Sequence, residues 1–248
     1  MAIKRIELLN VPIDILPPEK LGSELLGLLE RPGTKQIVFL SIWDLLKARR
    51  NTKFRECLMN AELVLPISTS IVKGAAFLKM DKPVRYNPFS TIISCLSLLD
   101  THYKSLYLFG GRKRALSKAE KNVRMTFKNI RLVGRYVGHY PKDTEKDIIA
   151  AMYKSTPSFV LVSDGVTERD CWAFNRRNNF SSSLFLYNKD IINIFAKRSK
   201  RIPPNIFDKG LEVWIEILHN PLKIFLFLPY IWYNLLLLGA KLSKPDKT

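Results

Sequence analysis

Short runs rich in Val, Leu, Ile and Phe alternate along the chain with longer stretches in which apolar residues recur every three or four positions. An uninterrupted apolar run fits a strand covered on both faces, and the three-to-four spacing fits a helix that covers it. The alternation therefore predicts an α/β fold, a mostly parallel sheet with helices on both faces. Strands are predicted over 36–41, 62–66, 105–109, 130–134, 159–163 and 183–187, and helices over 44–60, 70–79, 90–101, 113–127, 144–155, 168–177 and 189–198. A further helix opens at Pro17-Pro18-Glu19, where proline lacks only an N–H that would have had no partner, and Leu21, Leu25, Leu26 and Leu29 form its apolar face. Pro32-Gly33 ends it.

The pattern changes at Lys197-Arg198-Ser199-Lys200-Arg201, followed by Pro203-Pro204. Four basic residues in five and two prolines mark a boundary. A globular domain is expected over 1–197 and a helical appendage over 198–248. In the appendage a helix is predicted over 207–219 and another from Pro221, and the seventeen residues 224–240 carry no charge. At 1.5 Å per residue that run is about 25 Å long, short of a hydrocarbon core of about 30 Å, and Pro229 and Asn234 interrupt it. It is expected to lie on a membrane rather than cross one.

Charge sharpens this picture. Lys and Arg number 40 against 22 Asp and Glu, a net charge of +18, so anionic partners are favoured. No nucleic-acid-binding motif accompanies the charge, and none of that binding is expected. Cys57, Cys95 and Cys171 are scattered, and His102, His139 and His219 are as far apart, so neither a metal site nor a disulfide framework is expected, and no cofactor. The first residues lack the apolar run of a secretory signal, which with the free thiols suggests a reducing cytoplasm.

Three constellations carry candidate chemistry. Leu106-Tyr107-Leu108-Phe109-Gly110-Gly111-Arg112 runs a strand into two glycines and then into a helix that begins with Lys113 and Arg114. Backbone access at Gly110 and Gly111, with the cations Arg112 and Lys113 at a helix N-terminus, would suit a diphosphate. A tight strand-to-helix turn explains the same glycines. The loop 162–170 places Asp164, Glu168 and Asp170 beyond a strand end, where ligands of open parallel sheets bind, although acids also simply suit a helix N-terminus. In the appendage Lys197, Arg198, Lys200 and Arg201 would meet anionic headgroups while Tyr230, Trp232 and Tyr233 enter the headgroup boundary. The same tail could pack on its own domain or on a second subunit, which leaves a homo- or hetero-oligomer open.

The order of several segments resembles the WecG/TagA/CpsF family of bacterial glycosyltransferases. They are Leu46 to Arg50 with Phe54-Arg55-Glu56-Cys57-Leu58, Ala61-Glu62-Leu63-Val64-Leu65-Pro66, Leu108-Phe109-Gly110-Gly111, and Ile130-Arg131-Leu132-Val133-Gly134 with Gly138-His139-Tyr140. Trp172 with Ala173 to Arg177, Lys200-Arg201-Ile202-Pro203 and Gly210-Leu211-Glu212 continue the series. The resemblance implies a Rossmann-like sheet with a membrane-attaching C-terminal appendage that helps complete the site. It further implies metal-independent, inverting transfer of an N-acetylmannosamine-like sugar from a UDP-sugar to a polyprenyl-diphosphate-linked glycan acceptor, in surface polysaccharide assembly. Such a protein would sit peripherally on the cytoplasmic face of the bacterial inner membrane.

The site residues depart from the family pattern. Where Leu-Pro-Asp-Gly supplies a catalytic base, this chain has Leu65-Pro66-Ile67-Ser68. Ser41 replaces an Asn, and Arg85 is kept while Pro88 and Ser90 stand where Gly-x-Asp is usual. Gly165-Val166-Thr167-Glu168-Arg169-Asp170 stands for Gly-Ser-Pro-Lys-Gln-Glu, and Tyr187-Asn188-Lys189-Asp190 for a glycine-rich strand end. Two expectations follow. Either the chain is an enzyme in which Arg85, Arg112 and Lys113 hold the diphosphate and Asp164 or Asp170 is a displaced base, or it is a catalytically inactive relative that binds or scaffolds in the same pathway.

Overall fold

All six strands expected from the apolar runs form, and they form one parallel sheet. The computed structural model describes residues 3–210 and 227–243. The strands are β3 (Gly33–Leu40), β4 (Leu63–Pro66), β5 (Ser105–Phe109), β6 (Arg131–Tyr136), β7 (Phe159–Val162) and β8 (Ser182–Tyr187), in the order β4-β3-β8-β7-β5-β6. Every residue of β4, β5 and β7 is buried, which is why they read as continuous apolar runs. The edge strand β6 has no buried residue and alternates between exposed and half-buried positions.

The periodicity of the N-terminus conceals a hairpin. β1 (Lys4–Leu8) and β2 (Val11–Ile15) pair antiparallel across Leu9 and Asn10, both in the left-handed region at φ 52° and 65°. Asn tolerates that conformation, as two-residue hairpin turns demand. Ile6, Leu8, Val11 and Ile13 are buried, and Arg5 holds Asp14 by two bonds of 2.7 and 2.8 Å. Asp14 in turn accepts from the Val64 amide at 2.6 Å, fastening the hairpin to β4.

The helices are α1 (Leu21–Glu30), α2 (Ile42–Arg50), α3 (Thr52–Met59), α4 (Thr69–Phe77), α5 (Pro88–Thr101), α6 (Lys113–Thr126), α7 (Glu145–Ser155), α8 (Cys171–Asn175), α9 (Ile191–Phe195), α10 (Pro204–Lys209) and α11 (Phe227–Leu242). The single helix expected over 44–60 is two, because Asn51 leaves the helical region and its side chain accepts from the Phe54 amide at 2.9 Å, capping a new start. The helix expected over 168–177 begins later, since Glu168 and Arg169 adopt left-handed φ of 66° and 49°. The remainder of the helix expected to reach His219, the one expected from Pro221, and Leu211 and Glu212 lie outside the described residues.

One core cluster joins α1, α5, α6 and α9 to one face of the sheet. The second joins the hairpin, α2 and α3 to the other face, and includes Tyr233 and Leu237 of α11. Tyr233 is buried, and its hydroxyl donates to the Ser70 carbonyl at 3.0 Å. Gly74 lies directly beneath, where any side chain would collide with that hydroxyl. Among the described residues, no helix is long and apolar enough to cross a membrane.

Candidate active site

In a parallel sheet all strands end on one side, and the neighbours β4, β3 and β8 deliver Ile67, Ser41 and Asn188 to the same region. A cleft of about 880 Å³ opens there. The start of α4 supplies Thr69 and Lys73, α5 supplies Phe89, and α9 with its preceding residue supplies Ile191 and Asp190. α11 forms the far wall with Tyr230, Ile231 and Asn234, its Tyr230 ring edge-on to Trp43 of α2 at 6.0 Å between centroids.

The cleft is strongly cationic. Among the described residues it is lined by Lys73, Arg85, Lys200, Arg201 and Lys209, and by a single carboxylate, Asp190. Arg85 Nε donates to the Ile67 carbonyl at 2.8 Å, its Nη1 donates to the Phe207 carbonyl, and its guanidinium stacks 3.6 Å from the Phe207 ring. The arginine thereby joins the end of β4 to α10. Burial pulls Arg85 below its ordinary value while Asp208 and Tyr230 oppose this. Arg201 lies over the Phe89 ring at 5.3 Å. The hydroxyl of Thr69 is buried and finds no partner among the described residues.

Where a base is expected, Ile67 lines the cleft half-buried, its side chain packed on the core. The neighbouring hydroxyls are engaged in the scaffold. Ser41 caps α2, accepting from the Asp44 amide at 3.2 Å, and Ser68 Oγ accepts from the Ile42 amide at 3.1 Å.

Gly110 and Gly111 lie elsewhere. Their φ values are +119° and +71°, and their amides donate to the Tyr136 carbonyl at 2.9 Å and the Asp164 carbonyl at 2.6 Å. A β-carbon on Gly110 would fall 2.8 Å from the Ser163 backbone, and one on Gly111 2.7 Å from Ile192. Both amides are thus committed to neighbouring strand ends, and both glycines serve close packing. Arg112 and Lys113 are exposed and, with Gly138 and His139, line a separate depression of about 450 Å³. α9 stands between the two hollows, turning Ile191 and Ile194 toward the cleft and Ile192 toward Gly111. The structure therefore does not bring Arg112 and Lys113 to Arg85.

Neither expected base lines the cleft. Asp164 follows β7, with its carboxylate 3.8 Å from His139 Nε2. The carbonyl of Asp170 accepts from Gln36 Nε2 at 2.5 Å, and burial pushes its carboxyl well above the usual range, with Asp44 and Cys171 adding and Lys47 opposing. Glu168 is occupied by Arg176 at 2.7 Å and Asn175 at 2.9 Å. Of the basic cluster, Lys200 and Arg201 line the cleft whereas Lys197 and Arg198 do not, and Trp232 is turned outward at 47% exposure. Lys73, Lys209 and Asp190 were not among the sequence candidates. Asp190 carried the same signal as Asp164, a carboxylate just beyond a strand end.

Comparison with known proteins gives a family for the chain. The model of the family described as Glycosyl transferase WecG/TagA/CpsF family matches residues 6–246. An N-acetylglucosaminyldiphosphoundecaprenol N-acetyl-beta-D-mannosaminyltransferase of Staphylococcus aureus strain NCTC 8325 / PS 47 is 22% identical over 169 residues, covering 68% of this chain and 65% of the relative. The protein of the same name from strain MRSA252 is 21% identical over 168 residues with the same coverage. The match thus spans less than two thirds of those relatives' length.

Proposed function

Because this chain belongs to the WecG/TagA/CpsF family of glycosyl transferases, we propose that the 880 Å³ cleft is a sugar-transfer site. Its donor is a UDP-linked, N-acetylmannosamine-like sugar, and its acceptor is an N-acetylglucosamine carried on a polyprenyl diphosphate. The observation that carries this reading is the concentration of five cations in a cleft walled by α11. A sugar nucleotide and a lipid diphosphate each bring two phosphates, and cations held in place stabilise the negative charge that grows on the departing diphosphate. Arg85 is preorganised for that task by Ile67 and Phe207, and the unpartnered Thr69 hydroxyl offers a hydrogen bond beside it.

The outer face of α11 supports a route by which such an acceptor would arrive. Leu228, Trp232, Leu235, Leu238 and Leu242 are exposed on it, and Lys200 and Arg201 of the basic segment line the cleft that the same helix walls. An apolar helix face next to basic residues enters the headgroup region of an anionic bilayer. The protein would work peripherally at the cytoplasmic face of a bacterial inner membrane, with the cleft open to lipid-linked sugar.

A second reading is favoured by one residue. Ile67 accepts no proton, so a relative that binds these ligands without turnover also fits. Calorimetry with UDP, paired with donor consumption on a polyprenyl-diphosphate N-acetylglucosamine analogue, separates the two. Arg85→Ala is expected to weaken UDP binding more than about tenfold, the loss of a charge-assisted contact, while Arg112→Ala beyond α9 changes it less than about threefold. The opposite order would put the diphosphate at the start of α6. No UDP binding at millimolar concentration would remove the reading.

A further inference from the structure

We propose that Asp190 is the general base of the transfer, an assignment that rests on the cleft being the sugar-transfer site. A general base must be able to reach the proton that it removes, so location decides before acidity does. Among the described residues that line the cleft there is no Glu, His or Cys, and Asp190 is the only carboxylate. Asp164 lies beside His139, Asp170 is half-buried near Asp44 and Cys171 and does not line the cleft, and Ile67 is inert.

Local structure leaves the Asp190 carboxylate available. The residue occupies the capping position of α9, and its carbonyl accepts from the Ile194 amide at 2.9 Å, which fixes the backbone. Its side chain makes no capping bond, unlike Ser41 and Asn51 at α2 and α3. No described residue forms an ion pair or hydrogen bond with it, although five cations share the cleft. It is exposed to the cleft at the end of β8, two strands from β4. At about 4.8 Å per strand, the end of β8 stands about 10 Å from the end of β4, and Asp190 lies beyond it, so the acceptor hydroxyl approaches from the α9 side.

The step balances without any further reactant. As the acceptor oxygen forms its bond to the anomeric carbon, its proton passes to the Asp190 carboxylate. The bond from that carbon to the diphosphate oxygen breaks and UDP leaves with the electron pair. The cations hold its charge, and Asp190 returns the proton to water.

The test uses the full chain and the Asp190→Asn and Asp190→Glu variants, with Asp147→Asn on the exposed side of α7 as a surface control. Turnover of the UDP-sugar, UDP affinity, the pH–rate profile and the thermal midpoint are measured together. For Asp190→Asn, kcat is expected to fall about 10²- to 10⁴-fold with UDP affinity undiminished and the acid limb of the profile lost, while Asp190→Glu retains part of the rate. Asp147→Asn should match the unmutated protein. If Asp190→Asn fails to fold, loss of rate without loss of UDP affinity in a folded Asp190→Glu still supports the role, since a carboxylate displaced by one methylene transfers protons less well. Turnover of Asp190→Asn within about threefold of the unmutated rate overturns the proposal, as does a parallel loss of UDP binding, which would mark a donor-binding role. An unmutated protein that binds UDP-sugar without turnover overturns it too, and points to the inactive relative. Failure to bind any UDP-sugar instead overturns the reading of the cleft itself.

Discussion

At the scale of single residues, the contrast between Gly110 and Asp190 shows how one rule reads differently in three dimensions. Both follow a strand end, where ligands gather in parallel sheets. Gly110 turns the chain so tightly that its α-carbon abuts Ser163, and the glycine is required by packing. Asp190 follows a strand whose end opens into the cleft. Gly110→Ala is expected to destabilise the fold by about 1–3 kcal/mol or more, because φ of +119° is strained for any side chain and the new methyl meets the backbone. Urea unfolding measures the loss. A variant as stable as the unmutated protein would contradict the packing role and reopen a ligand-binding one. The excess of Lys and Arg and the candidate Arg85 could be read from the sequence, but that Lys73 and Lys209 share a cleft with Arg85 could not, because the three come from separate parts of the chain.

At the scale of elements, the loop after β7 illustrates an acid cluster that serves architecture. Trp172 of α8 is fully buried and its Nε1 donates to Glu145 Oε1 at 2.9 Å. Tyr140 donates to the same oxygen at 3.0 Å, and Arg176 bridges Glu145 at 2.9 Å and Glu168 at 2.7 Å. Burial pushes the Glu145 carboxyl up, but Arg176, Trp172 and Tyr140 together outweigh it and hold the group below its ordinary value. A lowered folded value stabilises the protein fully above the unfolded carboxyl's range and is lost as pH falls through the folded value. Arg176→Leu is therefore expected to cost about 1–3 kcal/mol at pH 7, with the gap from the unmutated protein closing as pH falls through and below the usual carboxylate range. Denaturant melts across pH test this, and a gap that does not change with pH would assign Arg176's effect to its stacking over Trp172 at 5.0 Å. The acids 164–170 were legible in sequence; their partner Arg176 follows them closely, but Glu145 lies far upstream and is met only through the packing of α7.

At the scale of the molecule, α11 turns opposite faces to the core and to the outside. Tyr233 and Leu237 enter the same core as Val38, Leu40 and Ile71, while Trp232, Leu235, Leu238 and Leu242 face out. Truncation after Arg201 would expose that core, so substitution of the outward face is the cleaner test of membrane attachment. Trp232→Glu with Leu235→Glu and Leu238→Glu is expected to leave the thermal midpoint nearly unchanged and to abolish flotation with anionic liposomes. Flotation of the unmutated protein should weaken as salt rises, since exposed charge is screened within about 10 Å at 0.1 M. Flotation that survives the triple substitution would assign attachment to another surface.

The sequence by itself determined the sheet. Strands covered on both faces have to be apolar throughout, and that demand marks β3, β4, β5, β7 and β8 without reference to any neighbour. It determined as well that Ile67 carries no base and that the surface is cationic. The hairpin escaped because its burial depends on Arg5 and Asp14 meeting each other and β4, and the break at Asn51 because it depends on a side-chain cap. Only the tertiary structure decided which strand ends share a cleft. The order β4-β3-β8-β7-β5-β6 places Ile67, Ser41 and Asp190 around one opening and sets Gly111 and Asp164 behind α9. Strand order arises from which crossovers pack back onto the sheet around a shared core, a property of the whole packing that no local pattern contains.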